Sequence, residues 1–359
     1  MRKIDVEERV LHFKQPAGTS RGVYTERRVW LVRVSDGSAV GMDNGSAIGV
    51  GECAPLPDLS CDALPPHKYK EVLDGFCRQV EKTGEIPYDD LRDYPSMLFG
   101  LETAILSMNN DQGRTDNFQL FDTPFSRSEV GIPINGLVWM GTFDEMSQRI
   151  EEKLEQGFRC VKLKIGAIDF DAEIALLKQI RQRFGPRDVE LRVDANGAFP
   201  FDEALYKLEL LSQYALHSIE QPIRAKQWAN MAELCRESPL RIALDEELIG
   251  INDPDQKRQM LNIIKPAFII LKPSLHGGMM GCREWIDIAK DMGIGSWITS
   301  ALESNIGLNA IAQFCSEVYG PDIRMPQGLG TGQLFTDNID MGLEIRGEKL
   351  WRTNNSHNL

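Results

Sequence analysis

The chain has 359 residues, 42% of them hydrophobic and 26% charged, an ordinary globular balance with enough length for a large core. A net charge of −13 argues against nucleic acid or an anionic membrane as a main partner, since both reward basic surfaces. Seven widely spread cysteines without a CxxC pair exclude a disulfide framework; with no leader-like start and no run of about 18 apolar residues, a soluble, cytoplasmic protein is expected.

Over the first 55 or so residues, apolar and polar positions alternate. Segments 10–13, 28–34 and 47–52 read as strands of an antiparallel meander. Between the first two lies 16–22, a stretch too rich in Gly and small residues for a strand, which reads as a loop. Helices are expected at about 68–81 and 95–109, the second with Leu98, Leu101, Ile105 and Met108 along one face. These elements form an α+β capping unit over residues 1–125.

From about Pro133 the chain repeats a short strand, a turn and an amphipathic helix. Strands are expected at 134–138, 160–165, 189–194, 218–220, 242–245, 268–272 and 296–299. The helices between them include 143–156, 169–184, 201–214, 277–292 and 303–318. Such alternation specifies a parallel sheet, and near-constant spacing favours an α/β fold of the closed (β/α) TIM-type barrel over an open doubly wound sheet. The barrel domain is placed at 126–335, and 336–359 is expected to pack back on the cap, with a fraying polar tail from Thr353.

Several strands end in residues that an apolar barrel does not require. In 161–165 the two-residue period puts Val161, Leu163 and Ile165 on the helix side and turns Lys162 and Lys164 into the barrel mouth. A lysine pair usually faces water, but a central parallel strand has no solvated face. The next strand ends deliver Asp194, Glu220, Asp245 and then Lys272, one about every 25–30 residues from Lys164 onward. One strand–helix–strand repeat fits each interval, so all five land at the C-terminal ends of successive strands, where barrels carry their chemistry.

A single acid there would as readily cap a helix or pair with an arginine; three in consecutive register, flanked by lysines, call for a cation. Oxygen-only ligands suit Mg²⁺, with Mn²⁺ as a substitute. The five histidines and the cysteines show no zinc spacing. A neighbouring ammonium and a divalent cation would both lower a lysine's pKa, which makes Lys164 the candidate base and Lys162 its electrostatic partner. A cation held by three carboxylates can stabilise the dianion formed when a proton leaves the carbon next to a carboxylate. Lys272, across the barrel, serves as a second acid/base or as a fixed charge.

These residues resemble the enolase superfamily, in its muconate-lactonizing-enzyme-like subgroup. The likeness rests on Lys-x-Lys at 162–164, Asp-x-Asn at 194–196, Glu-Gln-Pro at 220–222, Asp-Glu at 245–246 and Lys-Pro-Ser-Leu-His-Gly-Gly from Lys272. In that superfamily a Lys or His base working with Mg²⁺ is a stated general pattern. Gly-Glu-Cys-Ala-Pro-Leu-Pro at 51–57, the 16–22 loop, the 134–139 strand and Thr-Ser-Ala-Leu-Glu-Ser-Asn-Ile-Gly from Thr299 extend the likeness over nearly the whole chain. The resemblance implies a capped, modified barrel and a small-molecule carboxylate substrate. It implies substrate contacts at Asn196, Thr299, Ser300, Glu303, Ser304, Arg21 and Gly330. A helix N-terminus after Thr299 would itself favour an anion.

The implied reaction is loss of water from a hydroxylated cyclohexadiene carboxylate to give an aromatic acid, with Lys164 removing and returning the proton and Lys272 stabilising charge at the ring face. N-acylamino-acid racemisation, dipeptide epimerisation and muconate cycloisomerisation use the same scaffold. The stretch 328–334, Gly-Leu-Gly-Thr-Gly-Gln-Leu, lacks the Asp-x-Asp that a dipeptide epimerase would carry there. It also fails both Gly-rich nucleotide fingerprints and reads as the eighth barrel strand and its loop. A non-catalytic binding protein on this fold would have lost a ligand or a base, and none of the six is missing. Arg21 could be a solvated loop charge and 55–57 a simple turn, while Trp139, Trp228 and Trp297 more often pack than line a pocket. A homo-oligomer is compatible with everything above.

Overall fold

A computed structural model describes residues 2–19, 22–35, 48–110, 118–138, 142–166 and 169–353. Arg21, Trp139, Ala47 and the tail beyond Thr353 lie outside the described residues. The chain opens with an antiparallel sheet, β1 (Lys3–Thr19), β2 (Gly22–Ser35) and β3 (Ile48–Cys53), in the order β1-β2-β3. The segment 16–22, expected as a loop, is mostly strand: Ala17 pairs with Tyr24 and Thr19 with Gly22, after a break in register following His12. The extra pairing partner across the hairpin outweighs the weak strand propensity of Gly and Pro.

Helix α1 (Pro66–Thr83) starts at a proline and ends at Gly84 in the left-handed conformation; α2 (Tyr88–Leu91) is a single turn, and α3 (Pro95–Asn110) lies on the sheet. The sheet and helices bury Trp30, Val32, Tyr69, Leu73, Leu98 and Leu101 between them. Strand β3 can touch α3 because Gly51 has no side chain: a Cβ there would stand 1.8 Å from the Gly100 carbonyl.

The barrel begins after β4 (Ile132–Pro133). Its seven parallel strands are β5 (Gly136–Val138), β6 (Cys160–Lys164), β7 (Glu190–Asp194), β8 (Ser218–Glu220), β9 (Ile242–Leu244), β10 (Phe268–Leu271) and β11 (Gly295–Ile298), paired in sequence order. Between them run α4 (Phe143–Glu155), α5 (Phe170–Arg183), α6 (Phe201–Ser212), α7 (Trp228–Glu237), α8 (Pro254–Ile264), α9 (Gly278–Asp291) and, after β11, α10 (Asn305–Tyr319). Thr142, Asp169, Asp253 and Ser304 cap their helices with side-chain oxygens. The strands alternate as their period demands: Val161, Leu163 and Leu191 pack outward against helices, while Phe268, Ile270 and Trp297 form an inner layer.

The two edges of this sheet are joined by two residues. Gln327 bridges Ile134 and Gly328 bridges Thr299, both in parallel, so the 327–328 segment closes the barrel where an eighth strand would stand. Beyond it, Phe335 packs on Phe13 of the cap, and β12 (Leu343–Arg346) and β13 (Lys349–Arg352) form a hairpin that pairs with β4. Among the described residues no helix is long and apolar enough to cross a membrane.

Candidate active site

At the C-terminal end of the barrel, β6 turns Lys162 and Lys164 inward and β7 brings Asp194 level with Lys164. Asp194 in turn is in register with Glu220 on β8. Lys162 Nζ lies 2.8 Å from Asp194 Oδ2 and also bonds Glu220 Oε2. Lys164 Nζ donates to the same Asp194 oxygen at 2.5 Å and to Asn196 Oδ1 at 2.7 Å. Opposite them, Lys272 bonds Asp245 Oδ2. The three lysine side chains keep 14–15% exposure, whereas Asp194 and Asp245 keep 0% and Glu220 3%. The lysines, not the acids, therefore meet whatever enters.

Charge is apportioned accordingly. Burial works against the ionised form of Asp194, but Lys162 and Lys164 hold its pKa below the ordinary carboxylate range. Glu220 is pushed up, by burial first and by the Asp194 charge second. Burial also opposes the charge on Lys162, yet Asp194 and Glu220 raise its pKa. At Lys162 the carboxylates thus outweigh both burial and the second ammonium. Lys272 is raised as well, burial being overcome by Asp245, Glu220 and Glu246.

Asn196, expected as a substrate contact, holds these groups in place together with Gln221 and His276, to which the sequence assigns no role. Asn196, in the left-handed region at φ 45°, donates Nδ2 to Glu246 Oε1 at 2.8 Å while its Oδ1 receives Lys164. Gln221, fully buried, accepts from the Asp245 and Glu247 amides at 3.3 and 3.2 Å and so ties the end of β8 to that of β9. His276 Nδ1 accepts from the Lys272 amide at 2.9 Å. The Glu-Gln-Pro and Lys-x₃-His spacings carried these positions in plain view, but only as unlabelled neighbours of the acids.

The lysines open into a pocket whose other walls are apolar (Leu56, Leu59, Leu137, Trp297) and hydroxylic (Thr299, Ser300, Thr331). Asn196, Glu246 and Gly330 line it too. Trp297, expected to pack, does both: it also stacks over the buried Arg192 guanidinium at 4.6 Å. Trp228 packs against the barrel core.

Two expected substrate contacts are not among the lining residues. Glu303, 0% exposed, accepts from the Ala301 amide at 2.6 Å and from the Ser274 hydroxyl. Ser304, also 0% exposed, caps α10, and its amide and hydroxyl bond Glu52 of the cap. The anion at that helix N-terminus is thus the chain's own Glu52, which also receives the Gly307 amide at 2.9 Å.

A cation can be tested against the donors. Among the described residues no three His, Cys, Asp or Glu side chains stand ready-made around one point, because each acid is drawn to a lysine. Yet Glu220 Oε1 and Asp245 Oδ1 are buried with no hydrogen-bond partner among the described residues. Buried carboxylate oxygens are rarely left so. An all-carboxylate set with orphaned buried oxygens just behind the pocket's lysines fits a hard cation.

Comparison with known proteins follows the same lines. Residues 145–337 match the family described as enolase C-terminal domain-like. The chain is 46% identical to o-succinylbenzoate synthase from Desulfotalea psychrophila, over 94% of this chain and 95% of that protein. The crystal structure of MenC from Desulfotalea psychrophila LSv54 superposes with a TM-score of 0.81 at 42% identity, covering 98% of this chain and 99% of that one. A dipeptide epimerase from Enterococcus faecalis, solved with Mg and L-Leu-L-Tyr, shares the fold at a TM-score of 0.78 and 17% identity, covering 98% and 97%.

Proposed function

The chain belongs to the enolase superfamily, and from that premise we propose that it is an o-succinylbenzoate synthase, a hydro-lyase of menaquinone biosynthesis. The observation that carries the reading is the near-full-length likeness to a protein of that activity. The six strand-end residues, all present, supply the chemistry. The reaction is dehydration of 2-succinyl-6-hydroxy-2,4-cyclohexadiene-1-carboxylate to 2-succinylbenzoate. A C–H bond next to the ring carboxylate and the C–O bond of the ring hydroxyl break, a ring double bond forms, and the proton and hydroxide leave together as water.

Asp194, Glu220 and Asp245 would hold the cation, Mg²⁺ before Mn²⁺. When bound there, it supplies positive charge against the dianion that forms as the carboxylate enolises. Lys164 takes the proton, with Asn196 Oδ1 orienting its Nζ, and returns it to the departing hydroxyl. Lys162, between Asp194 and Glu220, stays protonated and keeps positive charge beside the base. Lys272, on the opposite side of the pocket, holds a fixed charge at the other ring face. Thr299 donates its hydroxyl to the Gly328 carbonyl, and the Ser300 and Thr331 hydroxyls bond each other, so that pair keeps one proton to donate to the succinyl end; Leu56 and Trp297 exclude water from the ring. Arg21 remains an expected contact outside the described residues.

In this reading the protein is a cytoplasmic enzyme acting on a small carboxylate. The 328–331 wall presents no carboxylate for the ammonium of a dipeptide, which disfavours epimerisation. The deciding experiment follows absorbance of the aromatic product with Mg²⁺ and with chelator. Metal-dependent turnover that disappears in Lys164→Ala supports the synthase. α-Proton exchange in N-succinylamino acids without dehydration would overturn the substrate and keep the scaffold chemistry.

A further inference from the structure

Arg27 stands on β2, on the same face as Val29 and Leu31, and is 3% exposed. Its guanidinium reaches three backbone carbonyls. Nη2 donates to Ala54 O at 2.5 Å, Nη1 to Pro55 O, and Nε to Leu302 O at 3.3 Å. Two of these carbonyls belong to the cap and the third to the barrel loop after β11. Burial pulls the Arg27 pKa down, and the nearby charges of Glu303 and Glu52 push the other way.

Two of the gripped carbonyls adjoin the pocket wall. Pro55 precedes Leu56, which packs with Leu275 and Ala301 where the cap meets the barrel. Leu302 lines the pocket itself and sits at φ 64°, a left-handed conformation that costs an L-residue roughly 1–2 kcal/mol. Strained backbone persists where its surroundings over-determine it. Here the surroundings are Arg27 on the Leu302 carbonyl and Glu303 on the Ala301 amide just before it. A lysine carries charge on one nitrogen, whereas only a planar fork with several fixed donors spans carbonyls from two domains.

We propose that Arg27 is a positioning residue: by joining the Ala54 and Pro55 carbonyls of the cap to the Leu302 carbonyl of the barrel, it holds Leu56 and Leu302 at the spacing that the substrate's ring requires. The inference rests on the synthase reading for the identity of the ring. It places the fit of the substrate in a group that does not touch it.

The test uses full-length wild type, Arg27→Lys and Arg27→Met. Dehydration kinetics, calorimetric binding of 2-succinylbenzoate and thermal melts are measured on each. KM and the product Kd are expected to rise roughly tenfold or more, with kcat within about threefold of wild type. Arg27→Lys, although it keeps the charge, should recover little of this. Unchanged KM and Kd in a folded Arg27→Lys, or a fall in kcat alone, overturns the proposal, as does failure of both variants to fold, which assigns Arg27 a purely structural role. A wild type that binds the product but does not dehydrate the cyclohexadiene defeats the synthase reading, and the Kd comparison still decides the role of Arg27. A wild type that does neither overturns both.

Discussion

The Lys164 ammonium lies 2.5 Å from Asp194 Oδ2, the two residues facing each other in register on neighbouring parallel strands. The proposed base therefore rests against a carboxylate that is also a proposed metal ligand, and any charge placed on Asp194 is felt at once by Lys164. Removing the side chain in Lys164→Ala leaves Lys162 to neutralise Asp194. Turnover is expected to fall by roughly 10²–10⁴-fold, the span typical of a positioned acid/base, with the melting temperature little changed. Retention of more than about a tenth of wild-type turnover would exclude Lys164 as the base.

Chelation is expected to abolish turnover, and Mg²⁺ to restore it. The same binding has a readout independent of activity. A ligand present at about 100 times its Kd stabilises the folded state by about 2.7 kcal/mol, so Mg²⁺ should raise the melting temperature of wild type and not of Asp245→Asn. Equal melts with and without Mg²⁺, together with turnover that survives chelation, would sink the metal assignment.

Glu102 of α3 is buried and accepts the Met279 and Met280 amides at 2.6 and 3.0 Å, joining the cap to the start of α9. Burial pushes its pKa from an ordinary 4.5 up to about 8. The unfolded chain then loses this proton first, so the contribution of Glu102 to stability is full below pH 4.5, declines as pH rises, and is gone above about 8. Glu102→Gln has no proton to lose, although its amide keeps one acceptor for the two backbone N–H groups that Glu102 receives and so lowers stability by an amount that does not vary with pH. Its melting temperature should fall less than that of wild type between those limits; parallel curves for the two proteins would refute the shift.

Gly278 sits at φ 69°, and a Cβ there would stand 2.4 Å from Glu102 Oε2. Gly278→Ala is expected to cost at least ~1 kcal/mol from the backbone alone, and more from the displaced carboxylate. Because the Gly278 amide bonds Pro273 O, next to Lys272, turnover should fall with stability. A melt within a degree of wild type would mean that the α9 entrance yields more easily than its contacts indicate.

The barrel's polar residues were legible because they break a strong rule. A central parallel strand is apolar on both faces, so Lys162, Lys164, Asp194, Glu220, Asp245 and Lys272 announce themselves by type and interval. Glu303 and Ser304 carry the same polar signal, yet they are spent on internal contacts: Ser274 and the Ala301 amide claim Glu303, and Glu52, some 250 residues earlier in the chain, claims Ser304. No local pattern reports a partner at that distance. Arg27 carries a signal of its own: it shares a face with Val29 and Leu31, where an arginine should not be without reason. The neighbouring Arg28, which pairs with Glu8 at the surface, hides it in composition. At 17–19 the cause is the opposite one, since glycine and proline describe local preference and the pairing with β2 overrides it.

The first strand of the chain is finished by some of its last residues. Lys14 donates to Leu334 O, Phe13 packs on Phe335, and the His12 amide and ring bond Asp337, 325 residues away. On the ribosome, the hairpin's apolar face of Leu11, Phe13, Val29 and Leu31 therefore emerges long before Phe335, Ile339 and Met341, which cover it. At about 5–20 residues per second the exposure lasts on the order of tens of seconds, long enough for a chaperone to find it. Nascent chains stalled short of Phe335 should be cut by protease within the first hairpin, and released full-length chains should resist. Equal resistance in both would mean that the cap closes without its C-terminal cover.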